Sequence, residues 1–85
     1  MDIVVARSAR KQLERMPRAK AEAALAALRR IAADPFAKYN AVRPLTGIKG
    51  GYRLRVGDWR VSYRVDRKSR VLDVFEVAPR GGAYR

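Results

Sequence analysis

The alternation of apolar and polar positions divides the chain into two halves with different periods. Residues 2–6 (Asp-Ile-Val-Val-Ala) form a short run rich in β-branched side chains, which predicts a strand. Ser8 follows as an N-cap for a first helix that carries Ala9, Leu13 and Met16 on one face. Pro17 interrupts that face and suits the first turn of a second helix. Over Arg18–Ala33 the apolar Ala21, Ala24, Leu25, Leu28, Ile31 and Ala32 recur every three or four residues, with Arg29 and Arg30 off the stripe, as in an amphipathic helix. Asp34-Pro35 stops it. The short link at Met16-Pro17 predicts that the two helices pack as an antiparallel hairpin.

After a connector over Phe36–Thr46 and a glycine-containing turn over Ile48–Gly51, the period changes to two. Tyr52, Leu54 and Val56 alternate with Arg53 and Arg55; Trp59, Val61, Tyr63 and Val65 alternate with Arg60, Ser62 and Arg64. Val71–Val77 is a further strand, apolar on both faces (Leu72 and Val74 against Val71, Phe75 and Val77), which predicts an interior position. The expected fold is α+β: an N-terminal strand, an α-helical hairpin, then three antiparallel strands forming a curved sheet. A chain of 85 residues supports one core, so residues 1–85 are expected to form a single domain.

The central hairpin carries a geometric expectation. With Gly57-Asp58 as a two-residue loop, Val56 pairs with Trp59, Arg55 with Arg60, Leu54 with Val61, and Arg53 with Ser62. One face then holds Tyr52, Leu54, Val56, Trp59, Val61 and Tyr63 and packs on the helices, so Trp59 and Tyr63 are read as core. The other holds Arg53, Arg55, Arg60, Ser62 and Arg64. Directly opposed like charges destabilise a ladder, and Arg55 against Arg60 is such a pair. Asp58, Asp73 and Glu76 are three acids available against four Arg, a partial neutralisation at most; Asp58 itself is best explained by turn chemistry.

Composition sharpens this picture. Fifteen Arg and five Lys against eight acids give a net charge of +12, spread over both halves of the chain. Because 48% of the residues are apolar, the charge belongs to a folded surface and not to a disordered tail. Arg forks onto phosphate and stacks on bases, so an anionic partner is expected. The absence of Cys and His excludes disulfides, thiol nucleophiles, Ser-His triads, imidazole acid–base pairs and thiolate zinc sites. The eight acids show no clustered ligand spacing, so neither a metal nor another cofactor is expected. No segment approaches a membrane span and no signal-peptide pattern opens the chain; a cytoplasmic protein without membrane association is expected.

The stretches Arg43-Pro-Leu-Thr-Gly47 and Gly51-Tyr-Arg-Leu-Arg-Val-Gly-Asp-Trp-Arg-Val-Ser-Tyr-Arg-Val65 resemble the RelE/ParE superfamily of toxins from toxin–antitoxin pairs. The order of elements matches as well, so the resemblance covers nearly the whole chain. The closing Ala78-Pro-Arg-Gly-Gly-Ala-Tyr-Arg85 is similar to the RelE branch. The resemblance implies a ribosome-dependent messenger-RNA endonuclease held inactive by a cognate antitoxin, with ribosome and message as its other partners and no small-molecule cofactor. It assigns Arg53, Arg55, Arg60, Arg80 and Tyr84 to the active site; Arg43, Lys49, Arg64 and Arg85 are expected to contact RNA as further basic residues of a cationic surface. Arg53, Arg55 and Arg60 are also the residues that hairpin pairing places on one face.

Cleavage of RNA without metal requires a base for the 2′-hydroxyl, charge stabilisation at phosphorus and an acid for the 5′-oxygen. Arg fills the middle role, since its donors fork onto non-bridging oxygens and stay charged. The sequence departs here from relatives that place Lys, His or Glu at these points, which leaves the acid and base unassigned. Two other readings stand beside the nuclease: a ParE-type toxin that inhibits DNA gyrase without cutting nucleic acid, and a catalytically weak toxin-fold binding module. RNA cut on translating ribosomes separates the first reading from these two, and inhibition of supercoiling separates the second.

Overall fold

The computed structural model describes residues 1–79. In chain order the elements are β1 (Asp2–Val5), α1 (Arg7–Arg15), α2 (Arg18–Ala33), β2 (Val42–Pro44), β3 (Gly51–Val56), β4 (Trp59–Asp66) and β5 (Val71–Pro79). They build a five-stranded sheet in the order β1-β5-β4-β3-β2, with β1 parallel to β5 and the other neighbours antiparallel. The α+β class is as the periodicities predict. The expected strand count is corrected by β2, which lies inside what reads as a connector: Pro44 and a span of three residues give too short an alternation to register as a strand.

Both helices lie on one face of the sheet, where Ala9, Met16, Ala24, Leu28, Ile31 and Ala32 meet Leu54, Val61, Tyr63, Val65, Leu72, Val74 and Val77 in one buried cluster. The α2 boundaries are those of the apolar stripe, with Pro17 in the N-cap position and Asp34 in the C-cap position. Helix α1 begins two residues earlier than the sequence implies. Ala6 occupies its N-cap position without a side-chain cap bond, and Ser8 lies inside the first turn. Helix α1 approaches β5 and α2 approaches β1 and β3, and both contribute side chains to the one buried cluster.

Interior strand β5 absorbs a bulge. Ser62 pairs with Glu76 but Tyr63 pairs with Val74, which leaves Phe75 as the extra residue. The insertion resets the alternation, so Val77 joins Leu72 and Val74 on the core side instead of sharing a face with Val71 and Phe75. Strict alternation along the sequence has no means of anticipating this slip. At the far side of β4 the hairpin turn uses Gly57 at φ +58 in its first position, with Asp58 on the ordinary side, the φ pattern of a type II′ turn. Tyr39, from the segment after α2, donates its hydroxyl to the Asp34 carbonyl at 2.7 Å and approaches that of Arg30 at 3.1 Å, closing the C-terminus of α2.

Candidate functional site

The face of the sheet turned away from the helices carries the basic residues, and the ladders fix their arrangement. All four expected pairs of the β3–β4 hairpin form, including Arg55 opposite Arg60 and Arg53 opposite Ser62. Strand β2 adds a pair that sequence reasoning missed: Arg43 stands opposite Arg53. Lateral neighbours therefore run Arg43, Arg53, Ser62, Glu76 in one row and Arg55, Arg60, Ala78 in the next. Ser62 is only 2% exposed in the middle of the first row. Its small side chain floors the face between longer neighbours.

Four guanidinium-bearing residues, Arg43, Arg53, Arg55 and Arg60, line one cleft of about 340 Å³ with Asn40, Ala41, Gly57, Asp58 and Trp59. Arg53 and Arg60 are half-buried, whereas Arg43 and Arg55 are exposed. The Nε of Arg53 is buried and meets no protein acceptor among the described residues. A buried donor left in that condition costs roughly 1–3 kcal/mol, and an anionic oxygen in the cleft would remove the cost. Two directly opposed Arg pairs add a repulsion of roughly 0.2–1 kcal/mol each. Among the described residues Asp58 is the one carboxylate on the lining, while Asp73 and Glu76 sit farther along the sheet opposite Arg64 and Ser62. Among the described residues the cleft gathers more fixed positive than negative charge, a lining suited to an anion.

The remaining expected residues are distributed differently. Lys49 and Arg64 line a separate cleft at the other end of β3 and β4, so shared strand face does not bring Arg64 to the Arg cleft. Arg80, Tyr84 and Arg85 lie outside the described residues. Trp59 corrects its reading as core alone: it is partly buried against the core and also borders the Arg cleft, because it flanks the turn at the end of the hairpin. Asn40 reaches the cleft because β2 brings its preceding residues alongside β3, where Arg55 N donates to the Ala41 carbonyl at 2.9 Å.

Tyr63 is 1% exposed, and its ring stacks on Tyr52 with centroids 5.6 Å apart. Burial, with smaller contributions from Tyr52 and Tyr39, pushes its hydroxyl up to about 12, so it stays protonated at neutral pH and offers no base. Asp66 is held below the usual carboxylate range mainly by hydrogen bonds from Ser69, with a further one from Lys68 N at 3.0 Å. Among the described residues no three Asp or Glu gather as a metal-ligand group. Nor is any described helix long and apolar enough to cross a membrane.

The fold recurs in toxins of known structure. RelE in an archaeal RelE–RelB complex from Pyrococcus horikoshii is 28% identical, with 94% of each chain covered and a TM-score of 0.79. A YoeB/ParE toxin from Agrobacterium tumefaciens is 25% identical over 93% of this chain and 98% of that one, with a TM-score of 0.78. The Escherichia coli RelBE toxin–antitoxin complex, 21% identical over 92% of this chain and 94% of that chain, shares the fold with a TM-score of 0.78. Curated protein sequences give no significant match. These likenesses define the class as a RelE/ParE-type toxin fold. The family model for the ParE toxin of the type II toxin–antitoxin system parDE matches residues 3–84, and the chain belongs to that family of type II toxin–antitoxin toxins.

Proposed function

We propose that this toxin is a ribosome-dependent messenger-RNA endoribonuclease of the cytoplasm, neutralised by a cognate antitoxin. The observation that carries the reading is the convergence of Arg43, Arg53, Arg55 and Arg60 on one cleft with a buried, unsatisfied Arg53 donor. Such a cleft fits a phosphodiester better than an uncharged ligand. In the proposed reaction the 2′-oxygen attacks phosphorus, the P–O5′ bond breaks, and the products are a 2′,3′-cyclic phosphate and a 5′-hydroxyl. The 2′-hydroxyl loses a proton and the departing 5′-oxygen gains one. Arg53 and Arg60 hold the non-bridging oxygens, where negative charge develops, and Arg55 orients the 2′-hydroxyl. Arg43 secures the neighbouring phosphate. In this proposal Arg80 beside the leaving oxygen and Tyr84 stacked on a base complete the site, roles that the family resemblance implies.

This division explains dependence on the ribosome. Guanidinium groups stabilise charge but are poor proton carriers, so the alignment of the message and a path for the protons must come from the decoding site. RelB-type partners in the solved complexes support a protein antitoxin for this chain too. At +12, the surface favours an acidic or amphipathic partner that folds on it. The ParE family model supports a second reading, inhibition of DNA gyrase without nuclease activity. A cyclic phosphate at the new 3′ end of a translated message tests the first reading; loss of supercoiling by purified gyrase, with the message intact, establishes the second instead.

A further inference from the structure

A second cleft, of about 690 Å³, opens at the end of β3 and β4 remote from the Gly57–Asp58 turn. Separate segments build it. Phe36 comes from the stretch after α2, Lys49 from the turn before β3, Tyr52 from β3, Arg64 from the end of β4, and Arg67 and Lys68 from the β4–β5 turn. Phe36 is 54% exposed, an apolar ring that belongs to no part of the core, and the Arg67 guanidinium carbon lies 4.4 Å from its centroid. A guanidinium stacked on an aromatic ring presents a flat, cationic platform. Among the described residues four cations line this cleft against one carboxylate, that of Asp66. Asp66 Oδ1 accepts from Lys68 N at 3.0 Å and Ser69 N at 3.3 Å, so it serves to shape the turn that presents Arg67 and Lys68.

We propose that this cleft is a second binding site for single-stranded RNA, distinct from the Arg cleft at which the chain would cut. A base stacks on the Phe36–Arg67 platform, and flanking phosphates are met by Lys49, Arg64 and Lys68. The combination of an exposed stacking surface with cations around it fits an unpaired strand, because a duplex keeps its base faces covered. An acidic peptide would use the cations but would leave the platform without a flat partner. Arg60 borders the Arg cleft and Arg64 this one, four residues or about 13 Å apart along β4. The inference shares with the proposed function the view that the ligand is RNA. It does not require that the RNA be cut.

The test uses the whole chain and a fluorescein-labelled uridine-rich decamer of RNA, with affinity read by anisotropy. Phe36→Ala and Lys68→Ala alter exposed side chains, and circular dichroism checks that both variants remain folded. Loss of a base stack corresponds to about tenfold weaker binding or more in Phe36→Ala. Lys68→Ala is expected to weaken binding and to lower the salt slope by roughly 0.7, the value for one single-strand phosphate contact. Trp59 is the sole Trp of the chain and borders the Arg cleft, so its fluorescence reports that cleft alone. A dinucleotide, too short to reach both clefts, should perturb Trp59 equally in wild type and Phe36→Ala. Unchanged decamer affinity in both variants overturns the inference. So does a polyglutamate peptide whose binding depends on Phe36 while that of RNA does not. Failure of message cleavage with these binding losses intact counts against the nuclease alone.

Discussion

Arg43 lies directly opposite Arg53 across the β2–β3 ladder, which repeats one strand away the opposition of Arg55 to Arg60. A sheet selected only for stability would place opposite charges or β-branched residues at such positions. The arrangement concentrates positive charge on the open face at a cost in stability, which the proposed anion-binding role would explain. Replacing Arg43 by Gln should therefore raise the urea midpoint, with a gain of a few tenths to about 1 kcal/mol and an unchanged denaturant slope. The same variant should lose toxicity and bind RNA more weakly. A drop in stability would show that Arg43 contributes packing that the repulsion does not outweigh.

Tyr63 couples the stability of the fold to alkaline pH. Its hydroxyl ionises near 10.0 when unfolded and at about 12 when buried. Its contribution is complete below pH 10 and declines as pH rises toward 12, because the unfolded chain releases its proton first; the total is roughly 2–3 kcal/mol. The urea midpoint should fall across this window accordingly. In Tyr63→Phe that part of the pH dependence should vanish, together with the late tyrosinate absorbance change.

Two glycines should respond differently to the same methyl group. At Gly51 an added Cβ falls 2.7 Å from Ile48 Cγ2, so Gly51→Ala should cost roughly 1–3 kcal/mol by overpacking, and Ile48→Ala should recover part of it. At Gly57 the near neighbour is the free end of Lys20, 2.6 Å from the added Cβ, which can swing away. The cost there comes from φ +58, roughly 1–2 kcal/mol, and Lys20→Ala should recover none of it. Double-mutant cycles on thermal or urea unfolding measure both.

Removing the Tyr39 hydroxyl, which binds the carbonyls at the end of α2, should cost about 1 kcal/mol in Tyr39→Phe. Amide exchange should then quicken in the last turn of α2 before it does elsewhere in the helix. Uniform loss of protection over the whole chain would contradict a local role.

The contrast between what the sequence revealed and what it concealed follows from length and regularity. Helix α2 was legible to its last residue because sixteen positions repeat one stripe and a Pro stands at each flank. The β3–β4 pairing was legible because a two-residue loop leaves a single register. That register alone gathered Arg53, Arg55 and Arg60. Strand β2 was hidden, since three residues with a Pro carry no period, and with it went the Arg43–Arg53 pair and the place of Asn40. The Phe75 bulge was hidden for a different reason: an inserted residue leaves composition unchanged while moving Val77 to the core face. Shared strand parity grouped Arg64 with the other Arg residues, but position along the strand separates their clefts. The contributions of Arg80 and Tyr84 remain proposals drawn from resemblance.

The account turns on whether the Arg cleft cuts message on the ribosome. Primer extension on a defined message in a purified translation system, with wild type beside Arg53→Ala and Arg60→Ala, tests this most directly. Cuts confined to the codon in the ribosomal A site, reduced by at least two orders of magnitude in both variants, are the predicted result. Intact message with wild-type protein, or cuts that persist in both variants, would contradict it.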